Sequence, residues 1–219
     1  ALALIGAMRL PPRTTTASLP PMAALKEGML WLWRDLPLRR LALVLGGFNF
    51  LGYGFWAVFV LYGQRVLGLD AFGYGALLTA AALGGLAATL IGPKILSHIA
   101  PTTAILIGMA GFTAVSATLA LGAPLWLVAV LLAADGFTGM LWNIAQVSYR
   151  QRHIPAHLLG RVNSAFRFLG TGPAAFGAFL FGALIALGEG PDAVLLPYGV
   201  AAIAGAALTI YSLIRLRLP

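Results

Sequence analysis

Few residues in this chain can do chemistry, and the foremost is Asp135, an acid set inside an otherwise apolar stretch. A carboxylate at membrane depth is expensive unless it is protonated, paired or facing water, so its presence there is a functional hypothesis by default. Thr138, Trp142, Gln146 and Tyr149 follow at helical intervals, with Gly139 and Asn143 beside them, so a helix would align them as one polar stripe. That stripe is expected to face a cavity. Asp135 then reads as a proton or cationic-substrate site, or, alternatively, as a hydrogen-bonded carboxylate bracing two helices.

Arg167 is the only basic residue within an apolar run, with Asn163 and Thr171 one turn to either side. At the helical rise per residue it lies about 9 Å from the middle of its helix, level with Asn143 rather than with Asp135. It is expected to close the inner side of a cavity rather than to form a midplane ion pair, and reaching out to the interface is the structural alternative. Arg150, Arg152 and Arg161, read from their charge and place alone, set topology and touch anionic lipid. In an earlier apolar run, Asn49, Tyr53 and Trp56 share one face near mid-depth among Gly46, Gly47, Gly52 and Gly54. They either help line an apolar substrate cavity or simply pack.

Other chemistries find no support. With no cysteine there is no disulfide framework, thiolate nucleophile or thiolate metal site. His153 and His157 are four apart, but Pro155 lies between them and no third ligand is visible, so neither metal nor cofactor is expected. An intramembrane protease would need a Gly-x-Ser-Gly nucleophile and a histidine within a span. The serine motif is missing and His98, His153 and His157 all lie on loops, so the chain does not read as an enzyme.

The elements that must position these residues follow from composition. Of 219 residues, 60% are hydrophobic and 9% charged, and the mean hydropathy is +0.93. A soluble domain carries about a quarter charged residues, so the class is all-α and polytopic in a membrane. A helix needs about 20 apolar residues to cross a bilayer. Six such spans are expected, at approximately 41–63, 71–92, 101–121, 125–148, 161–187 and 194–214, with Gly122-Ala123-Pro124 separating the third from the fourth. Gly170, Ala174, Ala178 and Gly182 form a small-residue ladder suited to close packing, and Gly172-Pro173 is a candidate kink. Residues 1–8 resemble the tail of a preceding membrane helix, 9–24 a cytoplasmic linker, and 25–37 an amphipathic helix at the interface. In that helix Leu25, Met29, Leu32, Trp33 and Leu36 lie opposite Lys26, Glu27, Arg34 and Asp35.

The net charge of +8 raises nucleic acid as a partner until the charges are placed. Lys and Arg favour cytoplasmic loops, and with the first span running outward twelve of the fourteen fall inside, Arg65 falls outside and Arg167 lies within a span. The basic character is therefore topology, nucleic acid is not an expected partner, and the C-terminus is expected to be cytoplasmic.

The segment 141–182, LWNIAQVSYRQRHIPAHLLGRVNSAFRFLGTGPAAFGAFLFG, closely resembles the tenth helix, inner loop and eleventh helix of bacterial major facilitator superfamily exporters. The resemblance is nearest to the enterobactin and macrolide efflux branch. It is carried by Trp142, Asn143, Arg150, Gln151, Pro155, Leu159, Gly160, Arg161, Val162, Asn163, Ser164 and Arg167, and by EGMLWLWRDLPLRRL at 27–41. It implies a carrier of twelve helices in which this chain supplies helices seven to twelve, built as two inverted three-helix repeats, with a missing N-terminal six-helix half as partner. It further implies proton-coupled efflux of an amphiphilic small molecule, of drug or siderophore type, across the bacterial inner membrane, and a contact of Arg150, Arg152 and Arg161 with the other half that locks the inward-closed state. The loop GPKILSHIAPTT departs from the superfamily's Gly-Asp-Arg-Gly-Arg pattern, keeping Gly92 and Lys94 only, so a gate built on that motif is not expected here. The competing expectation is a self-standing six-helix protein acting as an assembly partner or dimeric carrier.

Overall fold

A computed structural model describes residues 20–188 and 190–218. The expected helix tail at 1–8 and residues 9–19 of the linker expected at 9–24 lie outside them, and 21–24 are helical. Among the described residues the chain is helical throughout, with no strand. The helices are α1 (Pro21–Arg34), α2 (Leu36–Arg65), α3 (Ala71–Leu96), α4 (Pro101–Ala120), α5 (Leu125–His153), α6 (Leu159–Thr171), α7 (Ala174–Ala186) and α8 (Leu196–Arg215), with one 3₁₀ turn at Pro191–Val194. Among the described residues six segments are long and apolar enough to cross a membrane, α6 and α7 together forming the fifth.

The breaks have local causes. Asp35 separates α1 from α2 and caps the latter, its carboxylate accepting from the Leu38 amide at 2.9 Å. Asp70 does the same for α3 through the Gly73 amide at 2.8 Å. Pro37 falls in the first turn of α2, where its missing N–H leaves no helical bond unmade, so that helix starts at Leu36 rather than after the proline. Between α4 and α5 the chain turns at Gly122, whose φ of +65° favours glycine, and Pro124 leads into the next helix. At Gly172-Pro173 the expected kink is a break between α6 and α7, since a proline ring displaces the carbonyl a turn earlier and removes one helical bond.

The pairing of spans has an internal symmetry. Span one packs along span five, as α2 against α6 and α7, and span two packs along span four, as α3 against α5. Likewise α4 lies against α5 as α8 lies against α2, and α4 packs on α8. Exchanging the first three spans with the last three leaves this pattern unchanged. An odd number of crossings per repeat inverts one relative to the other, which is the expected pair of inverted three-helix repeats. Both corresponding contacts are made by glycine. Gly84 and Gly136 sit against the backbone carbonyls of Ala133 and Ala81, and Gly177 sits against that of Phe50, where any side chain would overlap the neighbouring helix. The ladder read from sequence is only partly used: Gly170 meets Leu45 and Asn49, but Gly182 meets nothing, and Gly177 makes the closest approach.

One end of the bundle carries most of the basic residues. There Arg40 donates to the Arg215 carbonyl at 2.8 Å, and the Leu218 amide donates to Thr102 Oγ1 at 3.2 Å, tying α2, α4 and the end of α8 together. α1 also docks at this end. Its apolar face does not simply lie on a membrane surface: Leu32 is fully buried, Leu25 and Met29 pack on the core, and Gly28 lies against the Arg161 carbonyl of α6. Trp33, grouped with the apolar face in the sequence, is instead half-exposed, with the Arg39 guanidinium 5.7 Å from its ring. α1 also begins at Pro21, earlier than the expected residue 25.

Candidate functional site

A cavity of about 360 Å³ lies among α2, α4, α5 and α6. α5 contributes the polar wall, with Asp135, Gly139, Trp142, Asn143, Gln146 and Arg150 at successive three- and four-residue steps. A straight 29-residue helix presents such a stripe in one direction along its whole length. The facing walls are Leu45, Phe48 and Asn49 from α2, Gly108 and Phe112 from α4, and Phe166, Arg167, Gly170 and Thr171 from α6 and its end. Gly139, Asn143, Arg167 and Thr171 are exposed, so the cavity opens on that side.

Apolar rings shape its middle. Phe48 packs edge-on against Phe112 and Trp142, at centroid distances of 5.6 and 5.0 Å. Asn49 Nδ2 donates to the Gly170 carbonyl at 2.6 Å, bridging the paired spans one and five. The carbonyl it takes lies just before the Gly172-Pro173 break. The indole N–H of Trp142 and the Oε1 of Gln146 are buried with no hydrogen-bond partner among the described residues. Such groups carry a desolvation cost that a partner would remove.

Asp135 has no ion-pair partner among the described residues, and in particular does not pair with Arg167, although both line the cavity. Thr138 turns out of the stripe: its hydroxyl donates to the Asp135 carbonyl at 3.3 Å, and its side chain lies over Gly111 of α4. Tyr149 likewise faces away, stacked on His153 at 5.2 Å. Tyr53 and Trp56 lie beyond the cavity on α2 and are exposed, while Trp56 also packs on Phe55 and Phe59. At about 100° per residue the cavity-lining residues of α5 all fall within the arc from Trp142 to Asn143, and Thr138 and Tyr149 lie just outside it on the Trp142 side.

The basic residues divide sharply. Arg150 is only 9% exposed and turns inward, donating to Asn163 Oδ1 at 3.2 Å and lying 4.1 Å over the Phe166 ring. Its guanidinium is thus part of the cavity wall. Arg161 is engaged as well, with Nη1 2.7 Å from Glu27 Oε2 on α1. Arg152 is exposed, bonded to the Ser148 carbonyl of its own helix at 3.3 Å. Sequence reasoning did not anticipate the contact between His153 Nε2 and Asp35 Oδ2 at 2.8 Å, which joins the end of α5 to the α1–α2 junction. Phe48, Phe112 and Phe166 were also missed as cavity walls, because in an apolar helix nothing local separates a cavity-facing ring from a packed one.

Six membrane-crossing segments, symmetric pairing and a polar cavity between repeats define a polytopic membrane protein of transporter type. The Major Facilitator Superfamily family model matches residues 1–178, and the chain belongs to that superfamily, as a multi-pass membrane transporter. No curated protein and no solved structure shows a significant match to this chain.

Proposed function

We propose that this chain forms the C-terminal six-helix half of a secondary active exporter that moves an amphiphilic small molecule against protons across the bacterial cytoplasmic membrane. The observation that carries this reading is the cavity itself, polar on the α5 wall, aromatic opposite, and open on the side of Gly139, Asn143, Arg167 and Thr171. A second six-helix half covering that opening would enclose a central site between two domains, where carriers of this class bind substrate. Asp135 is the proton-carrying group: a solitary carboxylate beside the site gains or loses charge as water reaches it from either side. The basic end faces the cytoplasm, in keeping with the arginine bias of inner loops. Nearest kinship with the enterobactin and macrolide exporters belongs to the same proposal.

The test is transport by the full-length carrier in inverted vesicles, with and without a protonophore. Flux that collapses with the protonophore and becomes independent of pH in Asp135→Asn is the expected result. Unchanged pH dependence in Asp135→Asn would remove Asp135 from coupling, and flux indifferent to the protonophore would exclude proton drive.

A further inference from the structure

The cavity wall carries three ionisable side chains, Asp135, Arg150 and Arg167, and their balance leaves one positive charge in excess. Their placement sharpens the imbalance. Fifteen residues of α5 separate Asp135 from Arg150, about 22 Å at the helical rise, beyond the distance over which the carboxylate could neutralise the guanidinium. Arg150 is buried, yet its contacts are all uncharged: the Gln146 carbonyl at 3.4 Å, Asn163 Oδ1 at 3.2 Å and the Phe166 ring. Arg167 stands one turn beyond Asn163 on α6, exposed to the same cavity and without an ion-pair partner among the described residues. A buried cation held only by neutral groups is costly, and a planar guanidinium is matched best by a carboxylate.

We propose that the basic end of the cavity holds the single carboxylate-type head of an amphiphile, with its apolar body lying along Phe48, Phe112 and Trp142. Arg150 and Arg167 are the specificity-determining cations, and the aromatic walls are indifferent to the head. Asp135, far along the same helix, stays clear of the anion and keeps its own protonation role. The proposal rests on the transport reading for what the cavity is for, but the head-group preference is a binding property and is measured without transport.

The experiment is equilibrium dialysis of the full-length carrier in phosphatidylcholine nanodiscs, with protein-free discs as background. Three probes share one body: 4-octylbenzoate, 4-octylbenzamide and 4-octylbenzyltrimethylammonium. The benzoate is expected to bind about tenfold more tightly than the amide, as a charge-assisted contact requires, and the ammonium weakest. Arg167→Gln, an exposed position whose loss leaves the packing intact, should remove most of that preference, and Arg167→Lys should restore part of it. Arg150→Gln should do likewise, with thermal unfolding of the discs' protein as the check that the variant is folded. Equal affinities for benzoate and amide, a preference for the ammonium, or an unchanged preference in Arg167→Gln would overturn the proposal. Phosphatidylglycerol that competes with the benzoate would overturn it too, because the cation pair would then be a lipid site. Selective benzoate binding by a full-length carrier that shows no gradient-driven flux would support this site while removing the transport reading.

Discussion

The two ends of the helix bundle are held in different ways. At the basic end the links between elements are polar and directional: Glu27 to Arg161, Asp35 to His153, Arg40 to the Arg215 carbonyl and Arg150 to Asn163. At the opposite end Phe55, Phe59, Tyr62 and Tyr198 are almost wholly buried and interlock with centroid distances between 5.0 and 6.3 Å, and the hydroxyls of Tyr62 and Tyr198 have no partner among the described residues. The difference matters for a protein that must change shape. Exposed polar links such as the Glu27–Arg161 pair exchange partners at small cost, whereas packed rings lose their contacts outright when separated. The polar end is suited to opening and closing, and the aromatic end to moving as a unit.

This contrast can be broken in graded steps. Phe59→Ala, which removes a ring touching four others, is expected to cost about 3 kcal/mol in unfolding followed by denaturant titration in detergent micelles. A loss as small as that of a surface change would show the aromatic end to be loosely held. Gly177→Ala, which drives a methyl into the Phe50 carbonyl, should cost about 2 kcal/mol by the same titration, with Gly182→Ala, facing open space, as the neutral comparison. Equal effects at the two positions would remove the close contact between spans one and five. Glu27→Gln breaks the α1–α6 ion pair, whose side chains are 41% and 27% exposed, and should cost less than about 1 kcal/mol while raising hydrogen exchange in α1. Unaltered exchange there would mean that Leu32 and its neighbours alone seat the helix. Smallest of all, Tyr53→Ala should change stability by less than about 0.5 kcal/mol, since the ring is exposed.

Legibility in the sequence follows the range of the interaction that decides each feature. The six spans read correctly because about 20 apolar residues, a capping Asp35 or Asp70 and a Gly122 turn are local signals. The break at Gly172-Pro173 was visible for the same reason. On the α5 stripe, Asp135, Trp142, Asn143 and Gln146 meet in one cavity, but Thr138 and Tyr149 leave it. Periodicity gives the face of a helix and not which neighbour crosses it. Tyr53 and Trp56 share a face with Asn49 yet stay outside the cavity and exposed.

The arginines show the boundary most clearly. Together with the lysines, all but Arg65 and Arg167 fall in the segments expected on one side of the membrane, which is a property of composition and loop placement and requires no fold. What each arginine does depends on which helix stands opposite. Arg161 meets Glu27, more than a hundred residues away in sequence, and Arg150 turns inward onto Phe166 and Asn163, while Arg167 has no counter-charge among the described residues. The sequence by itself determined that six helices would be long and apolar enough to cross a membrane, because hydrophobic length is written in consecutive residues. Only the tertiary structure decided which polar groups would meet in a cavity, because that depends on the close glycine crossings that bring distant helices together.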